Sequence, residues 1–150
     1  MPTPSNPGSE KNKVIAPAIA VKQWMTPAPH SIGKDQPLAV AHRLMRDHTL
    51  RHLPVLEHGK LVGMLSERDL FFLESISGVD PERETVEQGM SQDVYCVPPE
   101  ARVREVVAEM KKHRYGSAVV VERGKVVGVF TTTNALELLA TFLGGDSGHR

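Results

Sequence analysis

Residues 59–69 of the chain read GKLVGMLSERD, and residues 124–134 read GKVVGVFTTTN. Both stretches open on Gly-Lys, place a second glycine four residues further on, and carry a hydroxyl residue three positions before Asp69 or Asn134. In each stretch, a continuous apolar run typical of a β-strand gives way to a helical pattern after the hydroxyl residue. The same junction between a strand and a helix is therefore predicted twice.

The similarity extends well beyond these two stretches. Residues 21–70 align with residues 86–135 at an offset of 65 without a gap, and eleven of the 50 positions are identical, where chance would give roughly three. The identical positions of the first copy are Val21, Gln23, Met25, Met45, His48, Val55, Glu57, Gly59, Lys60, Val62 and Gly63. A unit of about 50 residues is too small to bury a good core alone. The interface between the copies is therefore predicted to be a condition of folding, and the clefts beside it are the predicted sites.

Each copy is predicted to fold in the order β-α-β-β-α, which gives an α/β (α+β) fold class. A short extended segment precedes a helix whose apolar residues recur every three or four positions, over residues 38–48 and 103–113. Two apolar runs follow. Gly59 and Gly124 stand at the second central position of the loops between these runs, which favours type I′ hairpins. A last helix begins near residues 67 and 132.

The repeat also predicts where the parts of the chain begin and end. They are a disordered N-terminal tail at residues 1–13, the first repeat with its lead-in segment at 14–75, a linker and the second repeat at 76–143, and a flexible C-terminal tail at 144–150. In the linker, residues 80–84 are typical of a helix start that continues into residues 86–90. In the first copy, Asp35 is expected to cap the long helix and Pro37 to lie in its first turn.

The composition excludes several classes of protein. The 150 residues include 18 Lys+Arg and 18 Asp+Glu, so the formal net charge at pH 7 is zero. Nucleic acids and anionic membranes both call for an excess of Lys and Arg, so neither is an expected partner. No apolar run approaches the roughly 20 residues that cross a bilayer, and none near the start resembles a signal peptide. With a single cysteine, which fits a reducing compartment, a cytoplasmic protein is predicted.

The repeated junction suits a nucleoside or a nucleotide. A glycine within a strand, as at Gly63 and Gly128, lets a ligand approach the backbone. A hydroxyl at the strand end can bind a phosphate or ribose oxygen, and the following helix presents free amides with a positive dipole. A carboxylate or amide three residues on, at Asp69 and Asn134, faces the same opening and could bind the ribose hydroxyls.

A purely structural role explains the same residues. Ser or Thr placed three residues before Asp also forms a helix capping box. The neutral amide of Asn134 is a poorer partner for a helix N-terminus yet can bind a ribose hydroxyl, which weakens the capping interpretation. The two roles can coexist.

Several features together resemble a tandem pair of CBS domains, the module named after cystathionine β-synthase. They are the β-α-β-β-α repeat, the run HLPV at residues 52–55, the hairpin at 59–63 and the Gly-x-x-[Ser/Thr]-x-x-[Asp/Asn] ending. The resemblance covers about residues 14–143. It implies a stand-alone Bateman module, in which two repeats pack with pseudo-twofold symmetry and often pair again as a disc-shaped homodimer.

The resemblance also implies a ligand and a role. Such modules typically bind an adenosine-containing ligand such as AMP, ADP, ATP or S-adenosylmethionine, here with or without Mg²⁺. They regulate a protein target, which the sequence does not name, and they are not usually catalysts. No cofactor is required and no enzyme is expected.

By the same resemblance, Ser66 and Thr131 contact phosphate or ribose, and Asp69 and Asn134 contact the ribose diol. The base is expected to lie against the first extended segment and the start of the strand after the helix. These parts contribute Ser31, Ile32, Cys96 and Val97, and His52, Leu53, Pro54, Ser117, Ala118 and Val119. The first site is expected to be the more regular one, because the second has lost the charge of Asp69.

Local positive charge for an anionic ligand is available near the helix ends. The candidates are Arg51, Arg68, Lys111, Lys112 and Arg114. Arg51 and Arg68 are favoured because they flank the motif residues. Alternatively, each of these side chains is only part of a solvated helix face.

No other pattern indicates chemistry. The histidines are concentrated in the first repeat without the spacing of a metal site, so no metal is expected. Cys96 has no activating base nearby and is expected to be a small buried residue. Three functions remain: a ligand sensor whose conformation or dimerisation changes, a ligand-independent dimerisation scaffold in which Ser66 and Asp69 only cap helices, and a small nucleotide enzyme. The last lacks a residue set that supplies both base and nucleophile.

Overall fold

A computed structural model describes residues 19–27 and 30–144. The predicted N-terminal tail at residues 1–13 lies outside the described residues. The predicted C-terminal tail does too, apart from Gly144, which ends the last helix. Within the described part of the chain, no helix is long and apolar enough to span a membrane.

Each copy has the predicted β-α-β-β-α order. Before the first copy lie a 3-10 turn (Val21–Gln23) and β1 (Thr26–Pro27). The first copy contains β2 (Ile32–Gly33), α1 (Leu38–His48), β3 (His52–Glu57), β4 (Lys60–Ser66) and α2 (Glu67–Glu74). The short helix α3 (Val86–Gly89) precedes the second copy. The second copy contains β5 (Cys96–Val97), α4 (Val103–His113), β6 (Ser117–Glu122), β7 (Lys125–Thr131) and α5 (Thr132–Gly144).

Tight hairpins join β3 to β4 and β6 to β7. The two turn residues have positive φ in both hairpins: 51° and 79° at His58 and Gly59, and 53° and 79° at Arg123 and Gly124. Positive φ at both central residues is the signature of the type I′ turn, whose twist matches that of the flanking strands. The predicted hairpins are confirmed. Their register pairs the last residue of β4 with the first residue of β3, and β7 with β6 in the same way.

The lead-in segment of each copy packs on the other copy. Strand β1 pairs antiparallel with β7, so the second sheet has the order β1-β7-β6-β5. In the first sheet, the amide of Met64 donates to the carbonyl of Ser91 over 2.9 Å, and the amide of Ser91 donates back over 2.8 Å. Val21 is buried in the core of the second copy and Val86 in the core of the first. This exchange brings residues that precede one copy alongside the motif of the other.

The linker, and not Asp35, satisfies the start of α1. The cap residue of this helix is Pro37, and no side chain caps it. Instead, the amide of Leu38 donates to the carbonyl of Glu84 over 2.9 Å. The expected cap at Asp35 is therefore wrong. The expected helix start at residues 80–84 is also wrong, because that segment forms turns whose carbonyl groups face α1.

The hydrophobic core has three parts. Each copy has its own cluster, with Leu53 and Leu65 fully buried in the first copy and Phe130 in the second. A third cluster joins the copies through Met64 of β4, Val119 of β6 and Val129 of β7. Shared apolar burial of this kind is what two units of roughly 50 residues need in order to fold.

Candidate functional site: two clefts between the copies

Two clefts lie between the copies, each with part of its wall formed by the shared hydrophobic cluster. Met64 lines the first cleft, which has a volume of about 580 Å³, and Val129 lines the second, which has a volume of about 460 Å³. Both volumes lie in the range typical of small-molecule sites.

Each cleft combines the motif of one copy with two segments of the other. The first cleft is lined by residues 64 and 66–69 of the first copy and by residues 91, 93–95 and 113–117 of the second. The second cleft is lined by residues 129, 131–134 and 137 of the second copy and by residues 26 and 49–52 of the first. Most of these positions correspond at the offset of 65, so the clefts are related by the pseudo-twofold symmetry of the fold. Arg51, His52 and Gly116 line both clefts.

Ser66 and Asp69 form a reciprocal capping box at the start of α2. The amide of Asp69 donates to Ser66 Oγ over 3.0 Å, and the amide of Ser66 donates to Asp69 Oδ2 over 3.3 Å. Asp69 is half-buried at the wall of the first cleft. Among the described residues, none donates a hydrogen bond to its other carboxylate oxygen, Oδ1. The capping role is thus present, and it leaves one carboxylate oxygen available.

Thr131 and Asn134 form the equivalent box at the start of α5. The amide of Asn134 donates to Thr131 Oγ1 over 3.2 Å, and Asn134 Oδ1 accepts from the amide and hydroxyl of Thr131 over 2.8 and 3.0 Å. Asn134 Nδ2 also donates to Thr26 Oγ1 over 3.4 Å, and the residue is only 8% exposed. The capping role is therefore present at Asn134 as well, where the amide oxygen accepts the same backbone bond as the carboxylate of Asp69.

The clefts differ in positive charge. The first is lined by Arg51, Arg68 and Arg114. Among the described residues, Arg51 is the one Lys or Arg that lines the second cleft, where Glu137 is acidic. Local cations are therefore concentrated at the first cleft, where they are interspersed with carboxylates. These carboxylates belong to Glu67, Asp69 and Asp93.

Aromatic rings form one wall of the first cleft. Tyr95 and Tyr115 stack with ring centroids 5.2 Å apart, and His113 stacks on Tyr115 at 5.1 Å. Partial burial, followed by the nearby carboxylate of Glu109, raises the pKa of Tyr95, so its phenol stays neutral at physiological pH. Such rings offer flat surfaces on which a base can stack. The second cleft has Leu50 in place of Tyr115.

His52 belongs to the wall that the two clefts share. A Cβ atom added to Gly116 would lie 3.6 Å from Nε2 of His52, so the imidazole packs close to the other copy. Desolvation lowers the pKa of His52 from its ordinary value of 6.5; the carboxylate of Asp69 opposes this shift and the charge of Arg51 adds to it. The imidazole is therefore neutral at pH 7 and has one donor and one acceptor nitrogen.

The structure brings together part of the residue set that the sequence assigned to the ligand. The residues that line a cleft are Arg51, His52, Ser66, Arg68, Asp69, Arg114, Ser117, Thr131 and Asn134. Ser31, Cys96, Lys111 and Lys112 are exposed and line neither cleft. The side chains of Ile32, Leu53, Pro54, Val97, Ala118 and Val119 are buried in the interior and also line neither cleft.

Sheet order explains why Ser31, Ile32, Cys96 and Val97 lie outside the clefts, although Val94 and Tyr95, just before β5, line the first cleft. In the first sheet, β3 separates β2 from β4, which carries the motif, and in the second sheet β6 separates β5 from β7. Cys96 lies on the edge strand β5 and is exposed, so its expected burial is wrong. Desolvation nonetheless raises the pKa of its thiol, which disfavours the nucleophilic thiolate.

Sequence reasoning missed the aromatic wall of the first cleft. Tyr95 and Tyr115 are not repeated in the first copy, where His30 and Leu50 occupy the equivalent positions. Both tyrosines lie in the segments that flank α4. Their position opposite the motif of the first copy could have been predicted only if the crossing of the lead-in segments were known. In the described part of the chain, no group of three or more His, Cys, Asp or Glu residues could hold a metal ion.

Comparison with known families agrees with the observed fold. The family model described as "CBS domain" matches the chain twice, over residues 21–75 and 84–141. The chain belongs to the CBS domain family. The two matches correspond to the two copies seen in the sequence and in the structure, so the resemblance to a tandem CBS pair is confirmed.

This CBS pair is similar to proteins of widely separated origin. It is 28% identical to hypoxic response protein 1 of Mycobacterium tuberculosis over 101 residues, which are 67% of this chain and 71% of that protein. It is 27% identical over 110 residues to the CBS domain-containing protein YhcV of Bacillus subtilis, covering 73% of this chain and 78% of that protein.

Among the similar solved structures are ones that contain adenosine compounds. One of these is the CBS domain pair of protein MJ0100 in complex with 5′-methylthioadenosine and S-adenosyl-L-methionine. This structure superposes with a TM-score of 0.75 at 25% sequence identity, and the match covers 87% of this chain and 100% of that one.

Proposed function

We propose that this CBS pair is a cytoplasmic regulatory module, not an enzyme, that binds an adenosine-containing ligand in the clefts between its copies. Binding changes its conformation or its pairing with a second copy, and so its hold on a protein target. The observation that carries the proposal is the first cleft, where a carboxylate with an available oxygen, stacked aromatic rings and arginines line one cavity.

These groups match the three parts of a nucleotide. The available oxygen of Asp69 suits the two ribose hydroxyls, because a carboxylate is a strong acceptor for neutral donors. The rings of Tyr95 and Tyr115 suit the base, which stacks favourably on aromatic faces. The charges of Arg68 and Arg114, together with the N-terminus of α2, suit phosphate groups.

The candidate ligands are AMP, ADP, ATP and S-adenosylmethionine. The similar CBS pair that holds 5′-methylthioadenosine and S-adenosyl-L-methionine supports an adenosine compound as the common element. The first cleft is the proposed principal site, because Asn134 in the second cleft already donates to Thr26 and accepts two bonds from Thr131.

A thermal-shift screen of the full chain tests the proposal. Each candidate ligand is added with and without Mg²⁺, and guanosine compounds serve as matched controls. A ligand present at 100 times its dissociation constant adds about 2.7 kcal/mol of stability, which raises the melting temperature by several degrees. If no adenosine compound raises the melting temperature, the proposed function is contradicted.

A second candidate is a dimerisation scaffold that needs no ligand. Two observations favour it: both motifs form complete capping boxes, and apolar side chains of α2 and α5 are exposed, among them Phe72 at 70% and Leu136 at 59%. Exposed apolar patches mark interaction surfaces. The scaffold predicts that Asp69 contributes only to folding stability, and the substitution of Asp69 described in the Discussion separates the two roles.

A further inference from the structure

The wall shared by the two clefts is asymmetric in charge. Arg51 and Gly116 are equivalent positions at the offset of 65, and each sits just before its second strand, β3 or β6. Their carbonyl oxygens have the same structural role at the start of the following helix. That of Arg51 accepts from the amide of Glu67 over 2.8 Å, and that of Gly116 accepts from the amide of Thr132 over 3.2 Å. Both residues line both clefts, Gly116 through its backbone, and the charge of Arg51 acts on the imidazole of His52, which also lines both clefts. A symmetric pair would place two guanidinium groups here, and this chain has one.

The two clefts depend on this guanidinium to different extents. The first cleft has Arg68 and Arg114 besides Arg51. Within the described residues of the second cleft, Arg51 is the one Lys or Arg, and threonines stand at positions 49 and 133, equivalent to Arg114 and Arg68. Carboxylates line both clefts, with Glu67, Asp69 and Asp93 in the first and Glu137 in the second, so the clefts differ in the number of guanidinium groups that a phosphate can engage.

We propose that Arg51 serves one phosphate-bearing ligand at a time and so divides the ligands between the clefts. A phosphate-bearing adenosine compound occupies the first cleft and engages Arg51 together with Arg68 and Arg114. Among its described residues, the second cleft is then left without an available Lys or Arg, so it favours an adenosine compound without phosphate. This inference rests on the proposed function, because it assumes that adenosine compounds bind in the clefts.

The physical basis is the geometry of arginine recognition. A guanidinium forms its strongest contact with a phosphate through two parallel hydrogen bonds, and this arrangement uses the group for one phosphate. A second anion entering the other cleft would meet a neutralised arginine and the charge of the first phosphate. A neutral ligand meets neither penalty.

Isothermal titration calorimetry of the full chain with ADP and with adenosine tests this division. We expect two ADP binding steps, the second at least about tenfold weaker than the first, and two adenosine steps that differ much less. Two ADP steps of equal strength would overturn the inference. If neither compound binds, the inference fails, whereas the proposed function fails only if no adenosine compound raises the melting temperature, so the two failures are distinguishable.

Substitution of Arg51 tests which cleft's phosphate the arginine engages. Because the first ligand engages Arg51, Arg51→Ala should weaken the first ADP step about tenfold and leave the second step within about twofold of the wild-type value. If Arg51→Ala instead weakens the second step and spares the first, the arginine serves the second cleft and the inference is wrong. Arg104→Ala, which removes an exposed arginine that lines neither cleft, is the matched control.

A gain of function comes from restoring the missing guanidinium. Position 116 has room for the Cβ atom of an arginine, because it would meet Nε2 of His52 only at an ordinary 3.6 Å, and the backbone φ is not positive. We expect Gly116→Arg to strengthen the second ADP step about tenfold more than it changes adenosine binding. His58→Arg, which adds the same charge at an exposed hairpin tip that lines neither cleft, is the matched control. An unchanged second ADP step in a folded Gly116→Arg variant would overturn the inference. If this variant does not fold, the Arg51→Ala titration tests the inference instead.

Discussion

Asp69 combines a structural and a proposed binding role through its two carboxylate oxygens. Oδ2 accepts the amide of Ser66 and completes the capping box of α2, whereas Oδ1 accepts no hydrogen bond from the described residues. Asn134 performs the same capping in the second copy with an uncharged amide oxygen. An asparagine can therefore perform the same capping as an aspartate without the negative charge.

This comparison gives a substitution that separates folding from binding. Asp69→Asn keeps an oxygen for the amide of Ser66, so we expect a melting temperature close to that of the wild type. Because it removes the charge from the ribose-binding oxygen, we expect the affinity for an adenosine ligand to fall by about 1.5–3 kcal/mol. Calorimetry measures the affinity, and scanning calorimetry measures the melting temperature.

Asp69→Ala is the control, since it loses both roles. It should lower the free energy of unfolding by about 0.5–2 kcal/mol, the usual cost of a lost helix cap, and weaken the ligand as well. If Asp69→Asn binds adenosine ligands as tightly as the wild type, Asp69 is a cap alone.

His52 should make folding stability depend on pH. Desolvation lowers its pKa in the folded state below the ordinary 6.5, so the unfolded chain binds the proton more readily. Above pH 6.5 the imidazole is neutral in both states, and the free energy of unfolding keeps its full value. As the pH falls through 6.5 toward the folded pKa, the unfolded chain takes up the proton first and the free energy of unfolding decreases. Asp69 and Glu67 oppose the shift and Arg51 adds to it.

The measurement is the free energy of unfolding from urea titrations between pH 5 and 8, compared with His52→Ser. Serine is the residue at the equivalent position, Ser117. We expect the wild type to lose more stability than the variant between pH 7 and pH 5, because the other histidines are common to both. If the free energies of unfolding of the two proteins change with pH in parallel, protonation of His52 does not destabilise the folded state and the prediction is wrong.

At the scale of residues, comparison of the two copies predicts the motif residues that line each cleft. It predicts little of the cleft wall that the other copy contributes. Ser66, Asp69, Thr131 and Asn134 could be found because the repeat preserves a hydroxyl residue followed by an oxygen-bearing side chain. The rings at 95 and 115 could not, because they differ between the copies and reach the motif only through the packing of one copy on the other.

At the scale of elements, glycines in β4 and β7 let the lead-in segments cross between copies. A Cβ on Gly63 would lie 2.5 Å from the sulfur of Met90 and 2.9 Å from the carbonyl oxygen of Ser91. A Cβ on Gly128 would meet only the side chain of Met25 among its nearest atoms. The crossing therefore needs a residue without a side chain at both positions. The atoms that face Gly63 are more rigid than those that face Gly128, because they include a backbone carbonyl.

This difference predicts unequal costs for the same substitution. Gly63→Ala must displace backbone at Ser91, so we expect it to lower the free energy of unfolding by about 1–3 kcal/mol, the range for overpacking. Gly128→Ala meets a flexible methionine that can move aside, so its cost should be smaller. Urea denaturation of both variants measures the difference. Equal costs would mean that the carbonyl of Ser91 moves as easily as the side chain of Met25.

Local signals account for the elements that the sequence predicted. The hairpins follow from Gly59 and Gly124, which adopt the positive φ of a type I′ turn at no steric cost. The crossing of the lead-in segments has no such signal, since an apolar residue such as Val21 can pack on either copy. The same holds for the start of α1, where a carbonyl distant in sequence replaces a local cap.

At the scale of the whole molecule, the exposed apolar side chains of α2 and α5 fit a second copy of the chain. Phe71, Phe72, Leu136, Leu139 and Phe142 are all exposed, and the two helices are equivalent elements of the repeat. A homodimer would place such a surface against itself, as the commonest oligomers do.

The expected dimer can be disrupted by a single charge. We expect Phe72→Asp to shift the chain from dimer to monomer in sedimentation velocity, because it would bury an unpaired carboxylate in an apolar interface. His58→Asp adds the same charge at an exposed hairpin tip and should leave the dimer intact. A wild-type chain that sediments as a monomer at all accessible concentrations would contradict this expectation.

The central claim is that an adenosine ligand binds between the copies, and a backbone amide NMR titration tests it most directly. AMP, ADP and S-adenosylmethionine are each added to the isotopically labelled full chain. We expect saturable shifts that are largest at residues 66–69, 91, 93–95 and 113–117, which come from both copies and line the first cleft. Spectra that stay unchanged with all three compounds, or shifts confined to residues outside both clefts, would contradict the account.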